Sequence, residues 1–296
     1  MDMVSAIRAA KISAPQSAVK AQIGIRLAAR TGQDRFCIWG ALDRAASTTL
    51  TRRRGIKLTG PVVSSAAKGC RMPHLIKNAL SALSSNGWAI FQLPDDGAAV
   101  IQQAALDIAC LLGQPKATRR RGPLVDVLIP TDRQSANRRS LSVCYGLSPF
   151  PWHTDGAHWS TPPRYIIMGC LETAPCTAQT LFCEGSTFDP LNVDGARSSV
   201  FRITNGGNSF YAAARGSSDR YYRFDPGCMT PVDAGAQEIV RAIDLFEPSD
   251  EQAITWQAGK FLLLDNWRFL HRRGSAQGST ERKLLRVTVM EKGNHG

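Results

Sequence analysis

Near the middle of the chain, Pro151-Trp152-His153-Thr154-Asp155 sets an imidazole and a carboxylate two residues apart. Two protein ligands do not hold a metal firmly, so a fold that uses this pair for a metal has to bring a third ligand from elsewhere. The remaining histidines are His74, His158, His271 and His295. Of these, His271 follows an apolar run, Phe261-Leu262-Leu263-Leu264, and a short polar turn. A second strand leaving that turn would return His271 to the same place. Taken alone, His153-x-Asp155 is equally a turn with an ordinary Asx hydrogen bond, and His271 beside Arg272-Arg273 reads equally as a core or surface histidine.

The chain has 296 residues, 43% of them hydrophobic, enough to bury a sizeable core in one large domain preceded by an extension. No apolar run is long enough to span a bilayer. Eight cysteines, at 37, 70, 110, 144, 170, 176, 183 and 228, form no C-x-x-C pair, and no secretory signal precedes them. They are expected to be reduced thiols in a cytoplasmic protein, with Cys170, Cys176 and Cys183 acting as small buried hydrophobes. The formal net charge is +12, and residues 1–60 hold eleven Lys and Arg against three acidic residues. Most of the excess therefore belongs to the Ala-, Ser- and Arg-rich start, a composition shared by transit peptides and basic tails. Residues 1–70 are taken as a basic extension of unknown role and 71–296 as the main domain. The pentapeptide Thr-Arg-Arg-Arg-Gly recurs at 51–55 and 118–122 without matching surroundings, so it is no structural repeat.

Along the main domain, apolar residues at Leu75, Ile76, Ala79, Leu80 and Leu83 predict a helix over 73–86, stopped by Gly87. Trp88 to Leu93 reads as a buried strand. Val100, Ile101, Ala104, Ile108 and Leu111 predict a second helix over 97–112, ended by Gly113 and Pro115. Short strands are expected at 125–129 and 141–145, then at 165–171 and from Thr180. The stretch 186–231 is rich in Gly, Asn, Ser and Arg with scattered aromatics, as in a lid or substrate insert. A helix over 234–246 and strands at 254–256, 260–264 and 283–290 close the chain. Antiparallel strands with few flanking helices fit a mainly β double-stranded β-helix, a cupin-like jelly roll.

Trp152-His153-Thr154-Asp155, Thr161-Pro162-Pro163, Gln179-Thr180-Leu181-Phe182 and Leu264-Asp265-Asn266, with His271, Arg282 and Arg286 following, occur in one order. This set, spanning roughly the second half of the chain, resembles the taurine dioxygenase/clavaminate synthase-like family of Fe(II)- and 2-oxoglutarate-dependent oxygenases. The resemblance implies that His153, Asp155 and His271 hold Fe(II) on one face, leaving the other for a chelating cosubstrate and O₂. It gives Arg282 the distal carboxylate of 2-oxoglutarate, which an arginine fork holds bidentately, with the Thr180 hydroxyl as a second donor. It also makes Arg286 the partner of a substrate carboxylate or sulfonate, with a structural ion pair as the alternative. Arg223, in Tyr221-Tyr222-Arg223-Phe224-Asp225, and His158 are further substrate candidates.

Related halogenases replace the metal-binding carboxylate by a small residue. Asp155 is present here, which favours hydroxylation of a C–H bond in a small anionic or amino-acid-like substrate, with release of succinate and CO₂. Desaturation or ring closure remains the variant within the same chemistry, and a non-catalytic jelly-roll binding protein the alternative outside it. A nucleic-acid partner would have only the basic extension to recommend it, since the half that carries the motifs has no concentrated basic and aromatic track. Oligomeric state is not legible.

Overall fold

The computed structural model describes residues 62–63, 72–174, 178–216, 219–278 and 280–292. Most of the basic extension therefore lies outside the described residues. Its one described pair, Val62–Val63 (β1), runs parallel to the first long strand. Helix α1, Met72–Asn86, buries Leu75, Ala79 and Leu83 along one stripe and stops at Gly87. Gly87 has φ +82, and a Cβ there would come 2.5 Å from the Phe269 ring, so glycine is required by both conformation and space. Strand β2, Trp88–Gln92, leads to helix α2, Ala98–Leu112, which buries Ile101, Ala104, Ala105, Ile108 and Ala109. Edge strands β3, Gln114–Lys116, and β4, Val125–Leu128, follow.

At 141–145 the expected strand is instead a single helical turn, α3, Ser142–Tyr145. Five residues are too few to fix a period. The Gly146 N–H closes onto the Ser142 carbonyl at 2.8 Å, and Gly146 takes φ +51, a stop that ends a helix better than it continues a strand. The remaining elements are β5 (Tyr165–Glu172), β6 (Thr180–Glu184), α4 (Gly195–Ser198), β7 (Phe201–Asn205), β8 (Asn208–Ala212), β9 (Met229–Pro231), α5 (Ala234–Leu245), β10 (Gln252–Ile254), β11 (Lys260–Asp265), β12 (Phe269–Arg273) and β13 (Lys283–Met290). Strand β10 lies two residues earlier than expected and leaves Trp256 outside it.

The strands make a seven-stranded sheet in the order β1-β2-β11-β5-β13-β3, with β4 also on β13, and a three-stranded sheet β10-β6-β12. All pairings except β1 with β2 are antiparallel. The apolar runs are apolar on both sides because the large sheet is covered on both faces. Phe261, Leu263, Ile167, Leu285, Val287 and Val289 meet α1 and α2 on one face. Leu262, Leu264, Ile166, Met168, Leu284 and Phe182 fill the space on the other, between the two sheets. Because strand side chains alternate, Arg286 shares the inner side with Leu284. The insert at 186–231 is ordered where described and builds its own small sheet, β8-β7-β9. It reaches back to the metal motif: the Thr154 N–H donates to the Phe224 carbonyl at 2.7 Å, and the Phe224 N–H to Thr154 Oγ1 at 3.1 Å. None of the described helices is long and apolar enough to cross a membrane.

The helix-covered face supplies a stability test. Ile108 is fully buried and Leu111, one turn on, is exposed. Ile108→Ala is predicted to cost about 2–5 kcal/mol and Leu111→Ala about 0.5 kcal/mol or less. Guanidinium unfolding at constant slope measures both, and equal costs would contradict the assignment of faces.

Candidate metal centre

Two reciprocal backbone hydrogen bonds place the first two ligands. The His153 N–H donates to the His271 carbonyl at 3.0 Å and the His271 N–H to the His153 carbonyl at 2.9 Å. This antiparallel bridge extends the smaller sheet by one residue and puts both imidazoles on one side, with ring centroids 4.5 Å apart. Asp155 follows two residues after His153, and its Oδ2 lies 3.9 Å from His271 Nε2. One ligand atom from each of the three side chains falls within 4.8 Å of the others, and all three residues are buried.

Neighbours fix these groups. His153 Nδ1 lies 2.9 Å from the Pro151 carbonyl. A carbonyl only accepts, so the proton is assigned to Nδ1 and the Nε2 lone pair is left for a metal. Asn266, fully buried, accepts from the Asp155 N–H at 2.8 Å and donates to the carbonyls of Asp155 at 3.0 Å and Pro163 at 2.9 Å. The turn between β11 and β12 is thereby fastened to the loop that carries Asp155. Two imidazoles and a carboxylate, clustered and with at least one lone pair directed inward, are a donor set that fits a divalent iron.

The charges support the same reading. Burial alone would raise the Asp155 carboxyl, but the guanidinium of Arg286 and the imidazoles of His271 and His153 hold it down at about 2. Burial, aided by His153, pushes His271 down to about 3, so it stands neutral at ordinary pH, as a ligand must. Arg286 Nη1 donates to both Asp155 oxygens at 3.0 Å, and Nη2 to Asp126 Oδ2 at 3.1 Å. Asp126 also accepts from the Thr118 hydroxyl at 2.6 Å. Arg286 is thus brought to the triad, in contact with a ligand carboxylate and with Asp126.

On β6, Thr180 accepts from the Trp256 indole N–H at 3.1 Å. An indole can only donate, so the Thr180 hydroxyl keeps its own proton for another acceptor. Arg282 is buried, its Nη1 donating to the Ala178 carbonyl at 2.6 Å and its Nε meeting no partner. Burial pulls its guanidinium down to about 10. The same happens to Arg273, first through burial and then through the like charge of Arg282.

On the insert side, Arg223 does not offer a free fork. Its Nη1 donates to the carbonyls of Ala157 (2.5 Å) and Trp159 (2.6 Å), and its Nη2 to the Ser160 carbonyl at 2.7 Å and the Tyr221 hydroxyl at 3.3 Å. Four terminal N–H groups are spent in this way, so Arg223 pins the 157–160 loop that carries His158. His158 itself is half-buried, its imidazole pushed down by burial while Asp225 and Asp155 oppose that shift. Asp225, next to the Phe224–Thr154 contact, is pushed up by burial against the pull of His153.

Sequence reasoning passed over Arg273, Trp256, Asp126 and Asp225 and gave Asn266 no role. Two of these left a signal. Arg273 is two residues after His271 and so shares its face, and Asp126 is the one acid in the Val125–Leu128 strand. The cysteine expectation also needs a correction. Cys110, Cys170, Cys183 and Cys228 are free, but Cys144 is disulfide-bonded.

No family model matches the chain, and no curated protein does. Solved structures do resemble it. An asparagine oxygenase, in complex with Fe(II), (2S,3S)-3-hydroxyasparagine and succinate, matches at 20% identity over 74% of this chain and 79% of its own, with a TM-score of 0.58. The non-heme iron oxygenase OrfP, in complex with Fe, succinate and (3S)-hydroxy-L-Arg, matches at 19% identity over 74% and 80%, with a TM-score of 0.55. PvcB, an Fe- and α-ketoglutarate-dependent oxygenase from an isonitrile synthetic pathway, matches at 18% over 72% and 79%, with a TM-score of 0.52. The chain has the double-stranded β-helix fold of these oxygenases.

The depressed His271 gives a pH dependence whose sign is fixed. In the unfolded chain His271 takes up its proton near 6.5, in the folded chain only near 3, so metal-free stability falls as pH is lowered through that window. His271→Gln is predicted to make the decline shallower in chelator-treated protein, read from denaturation midpoints between pH 6.5 and about 4. An unchanged slope would mean that His271 is not buried neutral.

Proposed function

We propose that the chain is an Fe(II)- and 2-oxoglutarate-dependent dioxygenase that hydroxylates a C–H bond of a small amino-acid-like substrate, releasing succinate and CO₂. The observation that carries the reading is the buried His153-Asp155-His271 cluster, together with a buried Arg282 that has no counter-ion among the described residues. Iron, when bound with 2-oxoglutarate, supplies the O₂ chemistry; the chain's own groups bind, orient and exclude water. His153, Asp155 and His271 hold the ion from one side. Arg282 receives the distal carboxylate of the cosubstrate and the Thr180 hydroxyl donates to it, its direction set by Trp256. The domain that does this is read as residues 71–296, with 186–231 as its insert.

For the substrate, Arg286 is the one cation among the described residues in contact with the triad, through Asp155, and Asp126 keeps it in place. Asp225 and His158 stand on the insert side, where a carboxylate would meet a substrate amino group. One cation and one carboxylate around a site suit a free amino acid, and asparagine oxygenase and OrfP are crystallised with hydroxylated amino acids. Direct contact by Arg223 is replaced by its role in holding the His158 loop. A reducing, cytoplasmic setting accords with ferrous iron and the free thiols of Cys170, Cys183 and Cys228, and the Cys144 disulfide is the feature that points the other way.

The test is succinate release. Protein loaded anaerobically with Fe(II), then given O₂, 2-oxoglutarate and a panel of amino acids and small acids, is predicted to form succinate with at least one of them and to return that compound with one added oxygen atom. Asp155→Ala is predicted to lose this activity, and Arg282→Ala to weaken 2-oxoglutarate binding by about 2–5 kcal/mol. No succinate with any candidate, together with no 2-oxoglutarate binding by the iron form, would reject the oxygenase in favour of a non-catalytic jelly roll.

A further inference from the structure

Arg273 is the last residue of β12, two after His271, so both side chains lie on the inner side of that strand. Its register partner across the ladder is Thr180. Directly opposed residues in an antiparallel pair project from the same face, which sets Arg273 beside the hydroxyl assigned above to the cosubstrate. Arg282 docks on the residues just before β6: its Nη1 donates to the Ala178 carbonyl at 2.6 Å, while the Gly274 N–H, next to Arg273, donates to the Gln179 carbonyl at 2.9 Å. Arg282 thus reaches the segment that leads into Thr180, and Arg273 stands opposite Thr180 across the ladder.

Their burial is not balanced by charge. Arg273 is 7% exposed and Arg282 4%. Among the described residues, neither has a carboxylate within ion-pair distance, whereas Arg286, less deeply placed, touches two. Arg273 Nη2 donates to the carbonyls of Gly146 and Ser148, its guanidinium stacks 3.8 Å from the centre of the Phe150 ring, and its Nε meets no partner. Carbonyl groups and an aromatic face satisfy geometry and part of the field, but they do not neutralise a cation. Buried arginines are ordinarily paired, and these two are left without an anion among the described residues.

We infer that Arg273 is a second cationic ligand for the 2-oxoglutarate cosubstrate, sharing its distal carboxylate with Arg282 and Thr180. A carboxylate has two oxygens and about four acceptor sites, enough for one N–H from each arginine and the threonine O–H. The competing role is purely structural, a clamp that holds residues 146–150 against β12. This inference rests on the oxygenase reading.

The experiment compares 2-oxoglutarate with 2-oxopentanoate, which keeps the chelating keto acid and lacks the distal carboxylate. Calorimetric binding is measured anaerobically on the Fe(II) form of the wild type and of Arg273→Gln. The expected result is a loss of about tenfold or more in 2-oxoglutarate affinity, as for a hydrogen bond between charged groups, with 2-oxopentanoate affinity unchanged. Equal losses for both ligands would assign Arg273 to the clamp and overturn the inference, as would no loss for either. Should Arg273→Gln not fold, Arg273→Lys decides: a selective weakening for 2-oxoglutarate supports the inference and a parallel change in both ligands contradicts it. A wild type that binds no 2-oxoglutarate at all would instead fail the oxygenase reading, so the two failures are distinguishable.

Discussion

The site depends on one pair of main-chain hydrogen bonds, the reciprocal bridge between His153 and His271. Without it, the loop carrying His153 and Asp155 has no register relative to β12, and the three donors do not meet. With it, alternation does the rest: His271 and Arg273 fall on the inner side, and Asp155 follows His153 to the same place. Asn266 adds a second fastening from the opposite end of the β11–β12 turn, using both faces of its amide on the Asp155 backbone. The insert adds a third through Thr154 and Phe224. Preorganisation of this kind matters because metal ligands held by packed strands keep their geometry better than ligands on free loops.

The second constraint is electrostatic. The space between the sheets is lined by Leu262, Leu264, Ile166, Met168 and Phe182, a poor place for charge. The charges that do enter are sorted into two groups. Around Arg286 the account is nearly closed, with Asp155 and Asp126 both in contact. Around Arg282 and Arg273 it is open, with carbonyl acceptors and, among the described residues, no carboxylate. Two buried cations without a counter-charge, in a fold that also gathers His153, Asp155 and His271, leave room for a dicarboxylate to complete the balance.

Much of this was legible in the chain itself, for identifiable reasons. The triad could be read because metal chemistry admits few residue types and because His271 stands just past the apolar run of β11. The helices α1 and α2 declared themselves by spacing and by Gly87 and Gly113. The 141–145 segment misled because five apolar and polar residues carry no period, and the decisive feature was the left-handed Gly146. Arg272 and Arg273 look alike in sequence, yet alternation sends the first outward to Glu251 and the second inward. Arg223 misled differently: an arginine among aromatics resembles a ligand-binding group until its donors are found engaged by the carbonyls of residues 157, 159 and 160. Which carbonyls a side chain will meet is a property of the folded chain and is not written locally.

The most direct measurement is an anaerobic titration of the metal-free protein with Fe(II), followed by calorimetry, for the wild type and for His271→Ala. The account predicts one ion bound per chain and loss of that binding when the imidazole contributed by β12 is removed. Undiminished binding in a folded His271→Ala protein would contradict it.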